Sequence, residues 1–307
     1  MAFMRAILYM PGMFLILVVY ALVGAYLIHR LPPNDVERSM LDIDHHEMAR
    51  RYAHEFGGTI PERMPFRLPL EYWLWGWTDD LPSARLVGAY IGGLGFTLTT
   101  LYARHLGGTR AALIAGCIVV TSPILMRGLV SASYVPYVAT LWVGGLYALA
   151  TGHPFMALAC AVGLTLIRPT SWWMAGTLLI HVPWHWSLPV AFLLACYLWG
   201  RQREVVLSQG WVRLLRREPC PVQGIPQDGW GYAVRIAATR FEAWGALGLV
   251  ALVVGRWESA AVNLLLISAG VAVMTHLPRA LIRPKWVLGY APEFALPVAV
   301  ALGILLQ

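Results

Sequence analysis

Residues 84–103 read ARLVGAYIGGLGFTLTTLYA, residues 104–110 read RHLGGTR, and residues 111–128 read AALIAGCIVVTSPILMRG. A helix needs about 20 apolar residues to cross the hydrocarbon of a bilayer. Each outer block is close to that length, and the short block between them carries Arg104 and Arg110. Two spanning runs joined by a tight basic loop read as a membrane hairpin. The same reading extended along the chain predicts spans near 8–28, 84–103, 111–128, 131–150, 154–167, 171–200, 243–255, 259–278 and 287–306. The expected fold is therefore an all-α polytopic membrane protein with about nine transmembrane helices. The runs 154–167 and 243–255 are short, and 171–200 is long and holds Pro183 and Pro189, as one kinked helix or two half-helices would.

Composition agrees with this class. The 307 residues are 58% hydrophobic and 13% charged with mean hydropathy +0.61, whereas about a quarter of a soluble domain is charged. One large soluble domain, a disordered chain and a disulfide scaffold are excluded. The net charge of +7 comes from 22 Arg and one Lys. It does not read as nucleic-acid affinity, because its placement along the chain matters more than its sum. Ten of the sixteen carboxylates fall between Asp35 and Asp80, and none lies between Leu81 and Arg203. Proton-coupled carriers commonly use acidic groups inside their spans, and the spans 84–200 offer none. Acid or base chemistry is concentrated instead in one loop at one membrane face.

The positive-inside rule sets the expected orientation. Arg104 and Arg110, the cluster Arg201, Arg203, Arg213, Arg216 and Arg217, and the group Arg279, Arg283 and Lys285 all fall inside if the N-terminus is cytoplasmic and 171–200 crosses once. Residues 29–83 are then outside, with the C-terminus. Arg-rich, Lys-poor usage fits a bacterial inner membrane, which makes the 29–83 loop periplasmic. The run Ala6–Ile28 after Arg5 is longer than a signal-peptide core and lacks a clear small-residue cleavage site, so it reads as a retained first span. The chain divides into a core at 1–200 that includes the 29–83 loop, a basic amphipathic cytoplasmic connector at 201–242, and C-terminal helices at 243–307. Cys117, Cys160 and Cys196 lie in apolar runs and Cys220 follows a basic segment, without paired spacing, and they read as buried thiols or fillers.

The segment with the densest chemistry is Leu41-Asp42-Ile43-Asp44-His45-His46-Glu47-Met48-Ala49-Arg50-Arg51-Tyr52. If helical from Asp44, it aligns Asp44, Glu47 and Arg51 on one face. Asp42 or Asp44 can serve as a base, or cap the helix by accepting from its free N–H groups. Asp42, Asp44, His45 and His46 also form a ligand set that suits a divalent ion, although adjacent histidines on a helix point to different faces. The sequence assigns no cofactor, and a divalent cation at these four residues stays open.

Beyond this loop the chain carries Pro65-Phe66-Arg67-Leu68-Pro69-Leu70-Glu71-Tyr72-Trp73-Leu74, then Ser83-Ala84-Arg85-Leu86-Val87 at the start of span two. It continues through Leu101-Tyr102-Ala103-Arg104-His105-Leu106-Gly107-Gly108-Thr109-Arg110, Thr121-Ser122-Pro123 and Gly163-Leu164-Thr165-Leu166-Ile167-Arg168-Pro169-Thr170. In this order, over residues 8–180, the chain resembles the GT-C fold glycosyltransferases, specifically the branch of protein O-mannosyltransferases and lipid A aminoarabinose transferases. The resemblance implies a GT-C-like core with outer juxtamembrane helices between spans one and two. It also implies an enzyme that moves a sugar from a polyprenyl-phosphate donor to a lipid, glycan or protein acceptor. The family's first-loop base corresponds to Asp44, with Asp42 as the alternative register. Attack at an anomeric carbon needs such a carboxylate, and cations for the departing phosphate. Arg168 is the first candidate cation and Arg85 the second, with Glu47, Trp73 and Tyr72 as further substrate contacts. An interfacial arginine that snorkels to lipid headgroups is the plain alternative for Arg168.

Two departures accompany the resemblance. The family commonly has an acidic residue after the third span, where this chain reads Val130-Ser131-Ala132-Ser133-Tyr134-Val135-Pro136, and it often continues into further spans and an outer domain. They motivate a second expectation, a non-catalytic GT-C-derived subunit of a larger membrane complex, with other membrane proteins and lipids as partners. Trp73, Trp75 and Trp77, and the group Trp172, Trp173, Trp184 and Trp186, can stack on sugars but read first as interfacial aromatics. His181, His185 and His276 raise a bis-histidine haem or metal site, which Pro183 and the lack of a CxxCH motif weigh against. Glu258 and Glu293 read as residues at span ends.

Overall fold

The computed structural model describes residues 11–30, 70, 80–168, 171–207, 212, 215, 259–282 and 292–307. Among them every regular element is helical: α1 (Pro11–Arg30), α2 (Leu81–Thr121), α3 (Pro123–Val130), α4 (Val135–Ala150), α5 (Pro154–Ile167), α6 (Trp172–His181), α7 (Trp184–Arg201), α8 (Arg203–Leu207), α9 (Ser259–Ile282) and α10 (Pro292–Leu305). The expected all-α class is thus found. The run 243–255, most of the 201–242 connector and most of the 29–83 loop lie outside the described residues.

Local chemistry sets the breaks. Gly108 has φ 80°, a left-handed conformation that a Cβ disfavours, and it interrupts α2 between the two apolar blocks. Gly152, with φ 76°, turns α4 into α5. Ser122 accepts from the Leu125 N–H at 3.4 Å and Pro123 follows, so a new helix starts inside the apolar run 111–128. Asp80 caps α2 by accepting from the Ser83 N–H at 2.7 Å. The Ser83 hydroxyl, and then its N–H, hold the Asp80 carboxyl below the usual carboxylate range. Because the folded value lies below the unfolded one, this cap stabilises at neutral pH, and its contribution is lost as pH falls through the folded value. Asp80→Asn, which caps without titrating, is expected to flatten part of the decline in melting temperature below about pH 4. A decline of unchanged depth in the variant would assign it to other carboxylates.

Packing is organised on α2, against which α1, α3, α4 and α10 all lie. Small residues permit the approach: Gly88 and Gly92 meet the backbone of Ser131 and Leu129 so closely that a Cβ on either would overlap, and Gly95 lies against Thr140 and Leu296. Several polar groups in this interior bond to helix backbone, whereas the buried Trp142 Nε1–H has no hydrogen-bond partner. Thr140 Oγ1 donates to the Ile91 carbonyl at 2.8 Å, and Tyr20 Oη to that of Ala89 at 3.1 Å, while the Tyr20 ring stacks on Phe96 at 5.0 Å. Large apolar side chains instead face outward, among them Leu22, Tyr26, Tyr90, Ile180, Leu188 and Phe192. Exposed to water these would be a standing penalty; against lipid they cost nothing. Among the described residues α2 is the one helix long and apolar enough by itself to cross a membrane, and shorter apolar helices lie in α1, α4, α5, α9 and α10.

The bundle has two distinct ends. At one, Gly107 lies beside Gln307, Gly12 beside Leu113, and His105 Nε2 bonds to the Ala150 carbonyl at 3.2 Å. At the other, Ile28 meets Arg85 and Arg168 meets Tyr134.

Against this frame the segment 171–200 departs from expectation. Trp186, near the start of α7, touches Phe155 at the start of α5, with ring centroids 5.1 Å apart. Val182 packs with Ala148 and Ala157, while Leu198, near the end of α7, packs with Trp172 at the start of α6. So α6 and α7 run antiparallel, and the segment goes across and returns rather than crossing once. The cause is local: Val182 is extended (ψ 144°) ahead of Pro183, and the chain reverses there, whereas Pro189 sits inside α7 without ending it. Arg201 is therefore at the Arg168 end, opposite Arg104 and Arg110. Gln307 likewise lies at the Gly108 end, the reverse of the expected C-terminal placement. Of the readings buried thiol or filler, burial fails for Cys117 and Cys196, which are exposed, while Cys160 is half-buried.

Candidate functional site: the Ser131–Tyr134 turn and its two arginines

The chain reverses from α3 to α4 through Ser131, Ala132, Ser133 and Tyr134, all buried. A buried turn must find partners for polar groups that a helix would have satisfied. The serines supply them. Ser131 Oγ donates to the Gly128 carbonyl at 2.8 Å and shares a hydrogen bond with Ser133 Oγ at 2.6 Å, and Ser133 Oγ accepts from the Val135 N–H at 3.3 Å. Tyr134 enters α4 with its ring in the core, 2% exposed.

Arg168 comes to the turn from α5. It is the C-cap, with extended φ −155° and ψ 141°, the conformation favoured before Pro169. Its carbonyl accepts from the Ser171 N–H at 2.9 Å as the chain turns toward α6. The guanidinium carbon sits 3.8 Å from the centroid of the Tyr134 ring, within cation–π range. Stacking by its face directs the edge N–H groups of an arginine sideways, the geometry in which it takes phosphate or carboxylate. Beside it the Trp172 Nε1–H donates to the Thr165 carbonyl at 3.1 Å, which ties the start of α6 to the end of α5.

Arg85 comes from the second turn of α2, at the same end of the bundle. It is 4% exposed, and its Nη1 donates to the Ile28 carbonyl at 3.1 Å. Gly88, one turn on, abuts the Ser131 carbonyl. The two arginines selected from sequence thus lie at one end of the bundle, Arg168 on Tyr134 of the turn and Arg85 on the Ile28 carbonyl. Asp42, Asp44, Glu47, Tyr72 and Trp73, and the metal candidates His45 and His46, lie outside the described residues. Both ends of the segment that holds them, Arg30 and Asp80, are at this end of the bundle.

Sequence reasoning did not select Ser131, Ser133 or Tyr134 as site residues, although a polar triplet between two apolar runs is a readable signal. Elsewhere, His181 Nδ1 bonds to the Thr177 carbonyl at 2.8 Å, and Trp184 beside His185 is 72% exposed. Among the described residues no group of three His, Cys, Asp or Glu side chains is arranged to hold a metal.

The helix order around this turn is that of a polytopic membrane core. No protein-family model and no curated protein matches the sequence. Among solved structures the chain is similar to the crystal structure of ArnT from Cupriavidus metallidurans in the apo state, with a TM-score of 0.52 and 16% identity over 95% of this chain. The match takes in 58% of ArnT, so the chain spans well under two thirds of that protein's length. At such identity the likeness speaks for the fold alone, a helical core of the GT-C architecture.

Proposed function

We propose that this chain is a membrane glycosyltransferase that moves a sugar from a polyprenyl-phosphate donor to an acceptor in a single inverting displacement. Asp44, or Asp42 in the alternative register, takes the proton from the acceptor's nucleophile as that atom bonds to the anomeric carbon. The bond from that carbon to the phosphate oxygen breaks, and the phosphate leaves with the electron pair. Arg168 neutralises the charge that develops on it. Glu47, Tyr72 and Trp73 complete the substrate surface, and membrane lipid is the surrounding partner. The carrying observation is Arg168 itself, stacked on a buried tyrosine at the end of the bundle where the acidic segment leaves α1 and rejoins α2. The GT-C fold supports the same reading.

The test is native mass spectrometry of protein released gently from its membrane. Bound undecaprenyl phosphate is expected, and Arg168→Gln is expected to weaken it about 10-fold or more, the worth of a hydrogen bond to a charged group. Affinity unchanged in the variant would remove Arg168 from the donor site. A second reading is a GT-C-derived subunit of a larger membrane complex, whose partners would share with lipid the outward apolar face of α7. Of the 18 residues of α7 only Ser187 and Leu198 are buried, and Phe192, Leu193 and Trp199 face outward. Stoichiometric partner proteins without a prenyl lipid would favour it.

A further inference from the structure

Among the described residues α7 packs on α5, α6 and α8, with Ser187 and Leu198 on its inner side. Leu188, Phe192, Cys196 and Trp199 follow one another at steps of four, four and three, so they line one helix face turned away from that pair. All four are exposed. At 1.5 Å per residue the stripe is about 16 Å long, and one leaflet of a bilayer's hydrocarbon is about 15 Å deep. Exposed indoles mark both ends of α7, Trp184 and Trp186 at one and Trp199 at the other, the depths at which tryptophan collects in a membrane helix.

At the Trp199 end the apolar stripe meets charge. Gln202 caps α7, its N–H donating to the Leu198 carbonyl at 2.9 Å, and it is buried. Arg201 and Arg203 flank it and are exposed. The guanidinium carbon of Arg203 lies 5.5 Å from the centroid of the Trp199 ring, within cation–π range, which leaves its edge N–H groups for an oxyanion. The sequence from Leu81 to Arg203 holds no carboxylate, so α5, α6 and α7 supply none; Glu204 is the one that follows, and two arginines outweigh it. An apolar stripe one leaflet long that ends in paired cations is the complement of an acyl chain with an anionic headgroup.

We infer that the outer face of α7 seats a phospholipid with an anionic headgroup, its phosphate on Arg201 and Arg203 beside Trp199 and an acyl chain along Cys196, Phe192 and Leu188. The site uses none of the residues assigned to sugar transfer, and it stands or falls independently of that reading.

The experiment titrates phosphatidylglycerol, with phosphatidylcholine as the neutral reference, onto the delipidated full chain in detergent and reads bound lipid by native mass spectrometry. Wild type is expected to hold one phosphatidylglycerol about 10-fold more tightly than phosphatidylcholine, the worth of a hydrogen bond to a charged group. Arg201→Gln combined with Arg203→Gln should bring that preference to within about 2-fold at an unchanged melting temperature, since both side chains are exposed, while Arg168→Gln leaves it in place. Phe192→Ser should weaken both lipids alike, because the chain contact does not depend on the headgroup. A preference retained in the double arginine variant would overturn the proposal. So would its loss in Arg168→Gln alone, which would move the anionic lipid to the Tyr134 turn. A protein partner held in stoichiometric amount by wild type and released by Phe192→Ser, with lipid binding unchanged, would overturn it too and give the stripe to a protein.

Discussion

Asp42→Asn combined with Asp44→Asn is expected to lower sugar transfer by about 10²-fold or more, the usual worth of a positioned general base. Both positions are changed because a single substitution leaves the neighbour two residues away to take over the proton. Asparagine keeps the shape and the capacity to cap a helix, so the fold should survive, with a melting temperature close to wild type. Binding of undecaprenyl phosphate should also survive, because the base acts on the acceptor and Arg168 on the donor. The assay is transfer in membranes with a lipid-linked sugar, read beside donor binding. Full activity in the double variant would show the base to be elsewhere. Loss of donor binding along with activity would mean that these carboxylates organise the donor site instead.

Gly92→Ala is the structural counterpart, with a large effect expected from one methyl group. A Cβ at this position would overlap the Leu129 carbonyl and lie 2.8 Å from the Leu129 side chain. The first obstacle is backbone, which cannot swing aside, so α2 and α3 must separate. Overpacking of this kind costs about 3 kcal/mol, and Gly92→Ile should leave little folded protein. Gly176 in α6 is the matched control, since a Cβ there has nothing within 4 Å. Gly176→Ala should be neutral or stabilise by about 0.5 kcal/mol through helix propensity. Thermal challenge followed by size-exclusion chromatography reads both. Equal stability of the two alanine variants would show that the contact between α2 and α3 yields easily.

How much of this was legible in the sequence varies from element to element. The run 154–167 matches α5 (Pro154–Ile167), because a proline opens it and an Arg-Pro pair closes it. The run 111–128 passed through Ser122-Pro123, since average hydropathy does not register a cap that restarts a helix. The segment 171–200 carried its turn in plain view at Pro183, yet an apolar run has the same hydropathy whether it crosses or doubles back. The expected sides rested on the placement of positive charge, which required 171–200 to cross once, and the reversal at Pro183 removes that requirement. At the site, Arg168 and Arg85 were chosen from the resemblance, as cations at span ends that could meet a departing phosphate. What sequence left open was their distinction: one lies on an aromatic ring and the other is tied to a carbonyl 57 residues away, a difference set by tertiary packing.

The position of α10 has a consequence for how the molecule is built. Leu296, Ala299, Val300, Ala301 and Leu302 are among its most deeply buried residues, and Gly303 rests against the Ala111 carbonyl. The groove that receives them, around Gly95 and Ala111 of α2, is synthesised about 200 residues earlier. During that interval the groove has no permanent tenant. Membrane insertion and final assembly are thereby separated in time: early helices can enter the bilayer in order, yet the interior stays unsealed until a late one arrives, and surveillance of half-made chains would find its handle there.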